Sequence, residues 1–223
     1  MQLRVNPDGP TAAEDAADLL TRRIKRAVRD RDRCDLAVSG GGAIAAHMFA
    51  VLADSDLPWD RVHVYQVDER IAPAGDPARN VRMLAVMPLR SRQLHSMPVT
   101  RARLAAAVAA YAASLPDRFD IVHLGVGEDG HTASWPPGDP VIDAGSPVAV
   151  SASYRGFARM TLTPRVVNAA RSRLVLATGL AKAPAIRRWL LDDPHVPVQR
   201  VRRTGTTVVL DTDAASELVI DGQ

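Results

Sequence analysis

The residues best suited to chemistry crowd into one stretch, Gly125-Val126-Gly127-Glu128-Asp129-Gly130-His131-Thr132-Ala133-Ser134. A histidine in a glycine-rich turn can come close to a ligand, and imidazole is the side chain best matched to general-base work near neutral pH. Asp129, two residues earlier, can fix the imidazole tautomer or cap the turn, and Gly130 frees the backbone to approach a ligand. The competing reading is a surface histidine whose glycines serve only the turn. A second constellation is Ser39-Gly40-Gly41-Gly42, set between a strand and a helix, where glycines let N–H groups approach an anion and the helix N-terminus favours negative charge. It has no P-loop lysine and does not match G-x-G-x-x-G, so neither a nucleoside triphosphate nor a dinucleotide is indicated. A tight strand-to-helix turn would need the same glycines.

Asp68-Glu69-Arg70 puts three charges where an apolar strand ends. Arg70 offers a planar fork to carboxylate or phosphate and Asp68 can orient it or a substrate hydroxyl, with a salt-bridged strand end as the plain alternative. Asn80 is either a polar contact or a helix N-cap. Lys182, three residues after Gly179, can reach an anion above a sheet or lie on a solvated helix face, and Arg159 at a strand start carries the same two readings. His47, His63 and His123 fall inside elements and are expected to pack. There is no Cys pair and no H-E-x-x-H, so no structural zinc and no metal requirement are expected, and Ser134 lacks the G-x-S-x-G of a nucleophile elbow.

These residues need a scaffold, and the apolar periodicity supplies one. Thr11-x-x-Glu14 reads as a capping box opening a helix of roughly five turns. Cys34 to Val38, Val62 to Val67, Phe119 to Val126, Val148 to Val150, Arg159 to Leu162, Arg173 to Thr178 and Thr206 to Asp211 read as strands. Ala43 to Leu52, Arg79 to Val86, Arg101 to Leu115 and the segment from Gly179 through Leu191 read as helices. Alternation of this kind predicts an α/β fold, Rossmann-like and doubly wound, with a mostly parallel sheet covered on both faces. In such sheets ligands bind beyond the carboxyl ends of the strands at a topological switch point. The search therefore narrows to four strand exits, Ser39 to Gly42, Asp68 to Arg70, Gly125 to Gly138 and Gly179 to Lys182.

The 223 residues, 47% hydrophobic and 24% charged, suit one folded domain spanning 1–223. Lys and Arg number 28 against 25 acidic residues, which is a mixed surface, and only 4% of residues are aromatic, so neither a nucleic-acid stripe nor a base-stacking platform is expected. A single cysteine, Cys34, and the lack of a leader-like or membrane-spanning segment lead to the expectation of a cytoplasmic protein. Cys34 is expected to pack.

Taken together, Leu36-Ala37-Val38-Ser39-Gly40-Gly41, Val67-Asp68-Glu69-Arg70 with Asn80, Phe119 through Gly138, Arg159-Met160-Thr161-Leu162-Thr163 and Gly179-Leu180-Ala181-Lys182-Ala183 resemble the 6-phosphogluconolactonase family, in the superfamily that also holds glucosamine-6-phosphate isomerases and deaminases. The resemblance implies hydrolysis of 6-phospho-D-glucono-1,5-lactone, the second step of the oxidative pentose phosphate pathway, by a Rossmann-like fold with no nucleotide site and no cofactor. It implies that His131 activates water, and that Arg70 and Lys182 bind the charged substrate. Two departures stand out. Gly42-Ala43-Ile44 supplies no hydroxyl where the family has one, so phosphate contact from that loop is expected from Ser39 and backbone N–H groups. Ser134-Trp135-Pro136-Pro137-Gly138 replaces the usual Ser-Leu-Phe-Pro-Gly and is expected to alter the pocket wall.

The reading that results assigns catalysis to His131, Asp129 and Arg70, with Asp129 orienting the imidazole. Substrate and phosphate binding falls to Ser39, Gly40, Gly41, Gly42, Asp68, Asn80, Gly130, Arg159 and Lys182. The partner is a small phosphorylated sugar lactone, with no nucleic acid and no membrane, and the chain is expected to be a monomer or weak homo-oligomer. The alternatives are a glucosamine-6-phosphate deaminase, disfavoured by Arg70 and by the missing carboxylate after His131, and a noncatalytic sugar-phosphate sensor.

Overall fold

A computed structural model describes residues 1–218. In chain order the elements are β1 (Gln2–Asn6), α1 (Gly9–Arg31), β2 (Cys34–Val38), α2 (Ala43–Ala53), β3 (Val62–Gln66), β4 (Asp68–Arg70), β5 (Leu94–His95), α3 (Leu104–Ser114), β6 (Ile121–Gly125), β7 (Val148–Tyr154), β8 (Phe157–Leu162), α4 (Pro164–Ala169), β9 (Ser172–Ala177), α5 (Ala183–Leu190) and β10 (Thr206–Asp211). Seven strands form a parallel sheet in the order β1-β10-β9-β6-β2-β3-β5, and β4-β8-β7 form a second, antiparallel sheet.

The central strands are apolar on both faces because both faces are covered. Along β2, Leu36 and Val38 join a core with Leu20 and Ile24 of α1 and Met48 and Phe49 of α2, while Ala37 between them joins the opposite core with Tyr111 of α3 and Trp189 of α5. This is the doubly wound α/β arrangement. From β2 the chain runs outward through β3 to β5, then returns to place β6 on the other side of β2. The switch point therefore lies between β2 and β6, and their exits carry Ser39–Gly42 and the turn containing His131.

Several expectations need correction. The long first helix opens at Gly9, not on a Thr11 capping box: the Asp8 side chain accepts the Thr11 N–H at 2.8 Å, and Pro10 occupies the first turn, where a missing N–H costs nothing. Asp68–Arg70 is not the end of β3 but a strand of the second sheet. Val67 is the pivot, since its N–H donates to Val38 O at 2.8 Å in the parallel sheet and its carbonyl accepts from Leu162 N–H at 2.7 Å on the antiparallel side. The turn over Asn80–Val86 is a 3-10 helix, and β7 runs four residues past Val150, to Tyr154. The edge strands β1 and β5 had no alternating signal strong enough to read, and β1 is half exposed. Among the described residues no helix is long and apolar enough to cross a membrane.

Candidate active site

A cavity of about 580 Å³ opens over the carboxyl ends of β2 and β6. One wall is the N-terminus of α2. Gly41 and Gly42 have φ of 154° and 81°, a region that favours glycine, and a Cβ on either would meet nothing within 4 Å. No hydrogen bond among the described residues takes their N–H groups, and Gly42 caps the helix with no side chain. An uncapped helix N-terminus facing a cavity favours an anion. Gly40 plays a different part: its missing Cβ leaves room for Asn80, whose Cβ and carbonyl would lie 3.1 Å away.

Ser39 does not contribute a donor to the cavity, contrary to expectation. Its N–H is taken by His123 O at 3.1 Å and its hydroxyl donates to Asp68 Oδ1 at 3.1 Å, so the N–H donors this loop leaves open to the cavity are those of the glycines. Asp68 is buried and also accepts from Ser134 Oγ at 2.6 Å and Asn80 Nδ2 at 3.4 Å. Burial pushes its carboxyl up, against the opposing pull of the Ser134 bond and the Arg159 charge. Asn80, the first residue of its 3-10 turn, spends its side-chain amide on Asp68 and its N–H on Glu69 at 2.7 Å. Glu69, fully buried, also takes the N–H groups of Arg70 and Val81 and staples the loop before Asn80 to β4.

Arg70 and Arg159 are direct cross-strand partners, and like charges opposite one another are destabilising unless something negative lies between them. Both line the cavity, and the Nε of each is buried without a partner among the described residues. Arg70 Nη1 donates to Ala78 O at 2.5 Å. Burial holds the Arg159 guanidinium below its ordinary range, opposed by Asp68 and reinforced by Arg70. Lys182, at the end of the 3-10 turn Leu180–Lys182, enters from beyond β9 and lies 3.7 Å from the exposed Glu128 carboxylate.

His131 lines the same cavity, and its Nδ1 lies 2.5 Å from Asp129 Oδ1, which also accepts the His131 N–H at 3.2 Å. With Nδ1–H donated to the carboxylate, Nε2 is left as the basic nitrogen. Burial raises the Asp129 carboxyl, but hydrogen bonds from Tyr154 and His131 outweigh it and hold the group at about 2. Space for this pair comes from Gly127, where a Cβ would fall 2.0 Å from His131 Nδ1. Asp129 stands behind the imidazole, off the cavity. Gly130 is off it too: with φ of 81° it packs on Val196, whose Cβ a side chain would meet at 2.8 Å, so it shapes the turn and does not line the cavity.

Trp135 is not pocket wall as expected. It is fully buried in the core between the sheets, its indole N–H donating to Leu162 O at 2.8 Å. Two residues at the site were missed by sequence reasoning, Tyr154 and Arg155 at the tip of the β7–β8 hairpin. Their signal was present as a residue-glycine pair, Arg155-Gly156, between two β-rich runs.

A parallel sheet whose switch point carries a carboxylate-bound histidine and an uncapped helix N-terminus in one cavity has the layout of an α/β enzyme site. Residues 7–210 match the family described as glucosamine-6-phosphate isomerases/6-phosphogluconolactonase, and the chain belongs to that family. It is 30% identical to a 6-phosphogluconolactonase of Synechocystis over 92% of this chain and 93% of that protein. The fold superimposes on the 6-phosphogluconolactonase of Leishmania guyanensis with a TM-score of 0.87 at 24% identity, covering 97% of this chain and 98% of the other. It also superimposes on a monomeric glucosamine-6-phosphate deaminase with a TM-score of 0.83 at 20% identity, covering 97% of this chain and 100% of that one. The two alignments show one fold carrying both chemistries, so the site has to discriminate between them.

Proposed function

We propose that this chain hydrolyses 6-phospho-D-glucono-1,5-lactone to 6-phosphogluconate, with His131 as general base. The observation that carries the reading is the Asp129-held imidazole lining a cavity whose other walls bring Arg70, Arg159, Lys182 and the open α2 N-terminus. The phosphate is taken by the Gly41 and Gly42 amides and Lys182, which leaves the lactone end for His131. Nε2 removes a proton from water as the water oxygen attacks the carbonyl carbon. The tetrahedral oxyanion is stabilised by the cationic wall, and collapse expels the ring oxygen, which takes the proton back from Nε2. Asp129 keeps the tautomer and stabilises the imidazolium formed midway.

The deaminase reading is disfavoured by the same turn, which places Thr132, Ala133 and Ser134 after His131 with no carboxylate among them. We also propose that the chain is a single domain over 1–223, works in the cytoplasm and is a monomer or weak homo-oligomer. The test is lactone hydrolysis followed with spontaneous hydrolysis subtracted. The wild-type chain is expected to turn over the lactone, and His131→Ala to lose about 10²–10⁴-fold in kcat while still binding 6-phosphogluconate. Near-wild-type kcat in His131→Ala refutes the mechanism, and ammonia release from glucosamine 6-phosphate in place of lactone turnover refutes the function.

A further inference from the structure

The second sheet sends an aromatic hydroxyl to the Asp129–His131 pair. Tyr154 ends β7 and pairs with Phe157 across the two-residue turn Arg155-Gly156, whose φ values are 49° and 86°. Positive φ at both central residues matches the twist of the flanking strands, and a β-carbon makes it unfavourable at Arg155. The β7–β8 register shifts between Ser151 and Tyr154, an irregularity of the kind that re-aims a side chain. Tyr154 Oη consequently donates to Asp129 Oδ2 at 2.5 Å and lies 3.3 Å from His131 Nδ1, with its ring edge-on to the imidazole at 5.2 Å between centroids.

We propose that Tyr154 is a positioning residue for the His131 base: it holds one carboxylate oxygen of Asp129 so that the other is aimed at Nδ1, and by sharing the carboxylate charge it limits how strongly Asp129 favours the protonated imidazole. The kinetic part of this inference rests on the hydrolytic reading above, and the titration part does not. The charged groups around the trio are Arg155 and Arg159, whose guanidiniums lie 5.3 and 5.4 Å from the Tyr154 ring centroid, and the Lys182–Glu128 pair beside the His131 turn. Burial, then the Asp129 carboxylate, pushes the phenol up, so it stays a proton donor at any working pH.

Tyr154→Phe keeps the ring and removes only the hydroxyl. It is expected to lower kcat about tenfold with KM unchanged. Freed from its second donor, Asp129 should pull harder on the imidazolium, so the NMR titration midpoint of His131 should move upward, with the acid limb of kcat/KM moving alike. In an Asp129→Asn background the same substitution should do almost nothing, because the coupling runs through the carboxylate. An unmoved His131 midpoint with kcat within twofold of wild type overturns the proposal, as does an undiminished effect in Asp129→Asn. If the wild-type chain fails to hydrolyse the lactone while the midpoint still moves, the hydrolytic reading falls and the positioning role stands.

Discussion

Gly127→Ala isolates the base from the rest of the site. A Cβ at position 127 would lie 2.0 Å from His131 Nδ1, 2.1 Å from its Cε1 and 2.8 Å from Asp129 Oδ1, whereas ordinary contact begins at 3.4 Å. The imidazole therefore has to retreat by about 1.4 Å, and misplacements near 1 Å cost on the order of 10²-fold in rate. The Nδ1 to Asp129 distance is 2.5 Å, so such a shift also breaks the bond that fixes the tautomer. The obstructing atoms are the ends of side chains, not backbone, and Gly127 does not need positive φ. The fold should consequently survive, with a stability loss of about 1 kcal/mol. Steady-state lactone hydrolysis should show kcat reduced about 10²-fold with KM little changed, because the cations and the α2 N-terminus lie on other walls. A thermal melt checks the fold in parallel. A well-folded Gly127→Ala chain with kcat within threefold of wild type would refute the placement of His131 as base.

Lys182→Ala removes a charge from the phosphate end and should raise KM about tenfold or more with kcat nearly kept, the size of one charge-assisted hydrogen bond; an unchanged KM would remove Lys182 from the cradle. His123→Leu addresses stability. His123 is buried against the edge of Phe49 with both ring nitrogens unpartnered among the described residues, and burial pushes it down to about 4 from its ordinary 6.5. The folded chain thus binds fewer protons than the unfolded one between those values, and stability is lost as pH falls from about 6.5 towards 4. The variant should escape that loss, gaining on the order of 2 kcal/mol at pH 5 beyond any gain at pH 8, as read from denaturant melts at the two pH values. Equal gains at both would show that the imidazole is not the acid-sensitive group.

The parts of the fold legible in the sequence are those governed by local pattern. β2 and β6 are short apolar runs buried on both faces, and the glycines after them mark where the chain leaves the sheet, so the switch point and both site loops could be read directly. The second sheet was hidden because its identity depends on pairing. Asp68–Arg70 is three residues long and follows β3 with only Val67 between them, so its charges read as the end of that strand, and only the divided hydrogen bonding of Val67 shows that it belongs elsewhere. The role of Ser39 is hidden for a similar reason: its neighbours in sequence are the cavity glycines, but its hydroxyl partner, Asp68, is 29 residues away. Trp135 looked like a change in the pocket because it follows the site histidine closely, yet the isolated bridge between Thr132 and Trp135 turns the indole into the core.

The division between the sheets bears on how the site works. The parallel sheet supplies the proposed base and the proposed anion cradle from loops whose glycines give them freedom to approach a ligand. That freedom alone would leave the His131–Asp129 pair, seated on the turn after β6, with nothing but the turn to aim it. The antiparallel sheet supplies what the turn lacks. From it come Arg70 and Arg159 in fixed cross-strand register, Thr161 Oγ1 accepting the Ser134 N–H at 3.2 Å, and Tyr154 on Asp129. Regular strands hold side chains more closely than loops do, and a general base must be held to within a fraction of an ångström. Substitutions that loosen the β4–β8–β7 pairing should therefore impair turnover before they impair folding.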